Sequence, residues 1–183
     1  MEFEKILTHR VSCRKYTGQM PEDEVIQEII NATLLGPIVR SHKLHLSVVT
    51  NKKAMDLAED AADDFFQGKR HKPYLYGAPV WIILSGKKYD ESEMPAAKQM
   101  NENLFWNVGS LIENMELRAI DLGLSSCGIN TTIVSMLNRP EVKQAVGVPD
   151  GYEALASVVV GYAAQEAPER SVKPELIPVS FIN

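Results

Sequence analysis

Arg10, Ser12 and Arg14 are spaced for anion chemistry. In an extended segment, residues two apart project to the same side. Two guanidinium groups then flank one hydroxyl. Guanidinium offers paired, charge-assisted donors and serine adds a compact third, a set that suits a phosphate. The same triplet also reads as a solvated basic turn, and spacing alone does not separate the two. Far along the chain, Arg170 and Lys173 place two more cations in a tail. A third feature is the small-residue run Gly123-Leu124-Ser125-Ser126-Cys127-Gly128-Ile129-Asn130. Small side chains let a backbone approach a flat ring closely; a helix cap followed by a turn gives the same pattern. Val148-Pro149-Asp150-Gly151-Tyr152 reads as a connecting turn.

Other chemistries find little footing. There is no GxGxxG between a strand and a helix, no Walker A sequence and no GxSxG elbow. His9, His42, His45 and His71 lack Cys or carboxylate partners at metal spacing, so no metal site is expected. The two cysteines, Cys13 and Cys127, form no CxxC pair, and so few suit a reducing cytoplasm. The opening residues are charged and lack the apolar segment of a signal peptide. A formal net charge of -5 argues against nucleic acid as the main partner, because phosphate backbones want a broad basic surface. The longest apolar stretches are far too short to span a membrane.

The elements that must position these residues follow from periodicity. A length of 183 residues suits one domain with its own core, with an extended, proline-containing tail from 165 to 183. Phe3, Ile6 and Leu7 make one face of a short first helix ending near Arg10. Pro21 with the acids Glu22, Asp23 and Glu24 is expected in the first turn of a second helix, which Gly36-Pro37 ends. Leu44–Thr50 reads as a strand, and Asn51 as the cap of a helix running to about Phe66. A basic loop, Lys69 to Lys72, precedes a buried strand over Ala78–Leu84. The strongest period runs from about Ala96 to Leu122, with Leu104, Val108, Leu111, Ile112, Met115, Ala119 and Leu122 on one stripe. That helix is roughly 40 Å long, enough to span a subunit or a dimer interface. Arg139-Pro140 opens another helix, and the Val-rich run Ala154–Tyr162 is the best candidate for a central strand.

In this order, the pieces resemble the FMN-dependent nitroreductase family. Arg10-Val11-Ser12-Cys13-Arg14-Lys15-Tyr16 looks like its Arg-x-Ser-x-Arg/Lys-x-aromatic opening. Ala119-x-x-x-Gly123-Leu124-Ser125-Ser126-Cys127 is similar to its Ala-x-x-x-Gly-Leu-Gly-Ser-Cys segment. Val148-Pro149-Asp150-Gly151-Tyr152, Val160-Gly161-Tyr162 and Lys173-Pro174 resemble three further family signatures. The resemblance implies an α+β fold, a central and mostly antiparallel sheet wrapped by helices. It implies a homodimer packed through the long helix with exchanged C-terminal tails, and FMN at the interface. By motif, Arg10, Val11 and Ser12 hold the phosphate and ribityl end, and Lys173 with Arg170 returns to the phosphate. Arg14 approaches the N1/O2 edge as an electrostatic tuner. Cys127, Gly128 and Ile129 bring backbone toward N5. Where the family commonly has Asn-x-Gln-Pro-Trp, this chain has Arg40-Ser41-His42-Lys43-Leu44, so Ser41 or Lys43 is expected to substitute. The implied activity is a ping-pong transfer of two electrons from NADH or NADPH to a nitroaromatic, quinone or similar small acceptor. The resemblance extends to flavin-dependent dehalogenation and enone reduction, and to homologues that bind flavin without turnover.

Overall fold

The computed structural model describes residues 1–39, 43–136 and 139–182. Four strands form one sheet in the order β1-β2-β4-β3, with β1 Lys43–Val49, β2 Val80–Lys87, β3 Ser125–Gly128 and β4 Glu153–Gly161. Every neighbouring pair is antiparallel. The helices are α1 Phe3–His9, α2 Asp23–Leu34, α3 Lys52–Phe66, α4 Ala97–Asp121, α5 Thr131–Ser135 and α6 Pro140–Ala145. The Val-rich run is therefore one of the two central strands, as its composition indicated.

Strand β2 explains its own sequence. Alternate residues of a strand face opposite sides. Trp81 and Ile83 point into a cluster with Ala58, Cys127, Met136 and Val159, under α3, α5 and α6. Val80, Ile82 and Leu84 point into a second cluster with Ile29, Leu111, Met115 and Val158, under α2 and α4. With helices on both faces, neither side of the strand is wetted, so it is apolar throughout rather than alternating.

Local signals place most helix ends. The Asn51 side chain accepts from the amides of Lys53 at 3.0 Å and Ala54 at 3.2 Å, capping α3. Asn51→Ala should cost about 1 kcal/mol of stability, read as a lower urea midpoint; an unchanged midpoint contradicts the cap's role. Gly123 follows α4 at φ +78, where other residues are strained. One expectation is corrected. Pro21 lies before the N-cap Glu22, so α2 begins at Asp23 and the proline is not in its first turn. Helix α1 forms where its period placed it; of its apolar face only Ile6 is buried, while Phe3 is 65% exposed.

Candidate functional site

The basic segment after α1 runs along the free edge of β3 as an irregular extra strand. Ser12 bridges Ser126, and the Cys13 amide donates to the Ser126 carbonyl at 2.8 Å. Further on, the Thr17 amide donates to the Tyr162 carbonyl at 2.9 Å, and the Ala164 amide to that of Lys15 at 2.9 Å. Tyr16 anchors the segment. Its ring is buried among core residues and its hydroxyl donates to the Val159 carbonyl at 3.4 Å. Burial pushes the phenol far above its usual range, so it stays a neutral donor. The extended backbone held this way carries Ser12 and Arg14, while Arg10 stands at the C-cap of α1.

Arg10 is half-buried where α1 ends. Its Nη1 donates to Oε2 of Glu116 at 3.5 Å, and its Nε lies 3.9 Å from Oε1 of Glu113. The tail returns to it. The Arg170 amide donates to the Thr8 carbonyl at 2.8 Å, and its Nη1 donates to the Arg10 carbonyl at 3.1 Å. Two arginines 160 positions apart thus share one corner. Lys173 is exposed and caps the short 3₁₀ turn Pro174–Leu176 three residues further on.

Val11, Ser12 and Arg14 line an open cleft of about 970 Å³, with Leu124 and Ala163 among its other walls. The Arg10 guanidinium lies instead against Glu116. Cys127 is buried under this segment. Burial pushes its thiol up, against the opposing pull of the Arg14 charge and a hydrogen bond from Ser12.

Gly128 is exposed, and a Cβ placed on it meets nothing within 4 Å. The Ile129 amide next to it donates to the Ser157 carbonyl at 2.8 Å. This stretch presents bare backbone surface to a flat ligand. Lys43 starts β1 opposite Lys87, whereas Gly128 pairs with Val158. By strand spacing it stands roughly 20 Å away within one chain, and the structure does not bring it to the other expected residues. Ser41 lies outside the described residues. Among the described residues, no group of three or more His, Cys, Asp or Glu gathers as a metal ion requires. No helix among them is long and apolar enough to cross a membrane.

Sequence reasoning missed Glu116. The available signal was its place among the apolar positions of α4, one residue after Met115 and four after Ile112.

Known proteins give the context. Residues 7–162 match the model of the nitroreductase family. A nitroreductase with bound FMN from Desulfitobacterium hafniense superposes with a TM-score of 0.80 at 24% identity, covering 100% of this chain and 99% of that one. A nitroreductase with bound FMN from Bacteroides fragilis superposes at 0.78 and 22% identity, covering 99% and 100%. A BluB-like flavoprotein from Clostridium difficile 630 superposes at 0.77 and 23% identity, covering 100% of both chains. No curated protein matches the sequence. The family match takes in all four strands and helices α2 to α6, and the chain belongs to the nitroreductase family.

Proposed function

We propose that the protein is an FMN-dependent oxidoreductase, passing two electrons from NADH or NADPH to a nitroaromatic, quinone or similar small acceptor by a ping-pong cycle. The observation that carries this reading is the return of Arg170 to the Arg10 carbonyl, two residues from Ser12, in an otherwise acidic chain. The donor set fits a flavin mononucleotide: guanidinium groups and a hydroxyl for the phosphate, and open space over Gly128 for a flat ring. FMN relatives with the same fold point the same way.

Bound FMN supplies the two-electron chemistry, and the protein supplies grip, orientation and electrostatics. Arg10 and Ser12, with Arg170 and Lys173 from the tail, bind the phosphate. Val11 and Cys127 shape the backbone beside it. Gly128 and Ile129 form the floor under the ring. Arg14, exposed at the cleft, places a fixed positive charge beside the pyrimidine edge. No side chain is assigned as an acid or base.

The active unit in this reading is a homodimer. Apolar surface supports it: Phe3 and Leu7 on α1, Trp106 (77% exposed) on α4, and Phe181 and Ile182 in the tail are all wetted in the single chain. Exposed apolar side chains of this kind suit an interaction face. A second copy also supplies the route by which Lys43, remote within one chain, reaches the cofactor. The free thiols Cys13 and Cys127 accord with a cytoplasmic location.

Arg14→Ala should make the bound flavin harder to reduce, by roughly 30 mV for the electron pair; an unchanged potential contradicts the tuning role. The function itself is tested by anaerobic addition of NADH or NADPH to the FMN-loaded protein, followed by a quinone or nitroaromatic. Bleaching of the visible bands, then their return with the acceptor, is expected. Failure of both nicotinamides to bleach the protein contradicts the proposed activity.

A further inference from the structure

Glu116 is a carboxylate on the face of α4 that otherwise buries Leu104, Val108, Leu111, Met115 and Ala119. It is 6% exposed. A buried charge persists only with partners, and Glu116 has two. Arg10 Nη1 reaches its Oε2 at 3.5 Å, and the Ser126 hydroxyl reaches its Oε1 at 3.3 Å. One side chain therefore ties the cation after α1 to strand β3.

The charged and titratable groups around it are few. Glu113, on the same helix, lies 3.9 Å from Arg10 but is half exposed, so solvent screens it. Tyr16 and Cys127 also face it, and burial holds both neutral. Arg10 is the cation in contact. The carboxyl is itself pushed up by burial, against the pull of Arg10, Ser126 and the Gly128 amide.

A phosphate on Arg10 and an ionised Glu116 would compete for one guanidinium, and like charges in a poorly solvated corner do not both persist. We propose that Glu116 is the positioning residue of the phosphate grip, holding Arg10 in place and releasing it to a phosphate monoester on taking up one proton from solvent. The neutral acid still accepts from Ser126, so its tie to β3 is kept. This inference rests on the reading of Arg10 as a phosphate ligand.

The test compares wild type with Glu116→Gln, measuring FMN and riboflavin binding to the flavin-free full chain at pH 5.5 and 8.5. Glutamine keeps the shape and an acceptor oxygen but carries no charge at any pH. Taking the variant-to-wild-type ratio cancels the ionisation of the FMN phosphate itself. The variant-to-wild-type ratio of FMN affinities should rise from pH 5.5 to pH 8.5, reaching about tenfold in favour of the variant where Glu116 is ionised. Riboflavin, lacking the phosphate, should bind both proteins alike at both pH values. A ratio for FMN that does not change with pH overturns the proposal. So does an equal loss of FMN and riboflavin binding in Glu116→Gln, which marks a packing role alone. Arg10→Ala separates the two layers: if it leaves the preference for FMN over riboflavin intact, the phosphate reading of Arg10 has failed, whatever Glu116 does.

Discussion

Arg10→Ala combined with Ser12→Ala should leave the purified protein nearly colourless, with FMN affinity reduced about a hundredfold. A charge-assisted hydrogen bond to phosphate contributes ~1.5–3 kcal/mol and a hydroxyl donor ~1 kcal/mol, and each 1.4 kcal/mol is about tenfold in affinity. Guanidinium is matched to phosphate geometrically as well as electrically, so Arg10→Lys should recover only part of the loss. The backbone that Ser12 lends to the Ser126 bridge survives the substitution. Losing Arg10 does leave Glu116 without its cation, so the variant's melting transition should be measured beside its flavin content. Riboflavin binding separates the causes. A damaged fold loses both ligands, whereas loss of the grip spares riboflavin. A double variant as yellow as wild type refutes the phosphate assignment.

Gly161→Ala should be the most damaging single methyl in the sheet. A Cβ there would stand 2.6 Å from Cδ and 3.2 Å from Cγ of Pro79, and 3.2 Å from Cδ1 of Tyr16. Both neighbours are rings, and neither can swing aside as a leucine tip can. Overpacking of this kind costs about 2 kcal/mol, or roughly 4–8 °C in melting temperature for a chain of this size. The effect should reach the site, because Tyr16 anchors the segment that carries Ser12 and Arg14, and FMN retention should fall with the melting point. Gly36→Ala is the useful contrast. Its closest neighbour is Leu111 Cδ2 at 2.4 Å, the end of a flexible side chain. A Gly161→Ala variant that melts within a degree of wild type would show that the Pro79–Tyr16 contact yields easily.

Local signals were legible wherever local physics decides. The stripe on α4, the Asn51 cap and the glycine after α4 are set by neighbours a few residues away, and each lies where sequence placed it. Helix α5 was not legible. Thr131, Thr132, Ile133 and Val134 are β-branched and weak helix formers, and the turn forms because Thr132 and Ile133 bury against α3 and β4. The α2 boundary was misplaced because acids after a proline suit a helix start in either register. Phe3, Ile6 and Leu7 read as one apolar face, yet periodicity does not say whether a face packs on its own chain or on another.

The candidate site divides the same way. Spacing pointed to Ser12 and Arg14, which line the open cleft, but the turn of the Arg10 guanidinium toward Glu116 is encoded by no local spacing. The approach of Arg170 to Arg10 joins opposite ends of the chain, and no local pattern encodes it. Resemblance to a family suggested the tail's return, and the structure gives Arg170, not Lys173, the contact at Arg10. Glu116 is the reverse case. Its signal, a charge inside an apolar stripe, was visible, but only the fold shows that Arg10 and Ser126 are what make its burial tolerable.

The grip on a flavin phosphate is most directly tested by the visible spectrum of the purified protein, with the released chromophore identified by mass. Flavin bands from FMN, at close to one per chain, are what these residues predict. A colourless protein that also takes up no added FMN would contradict the assignment of Arg10, Ser12 and Arg170.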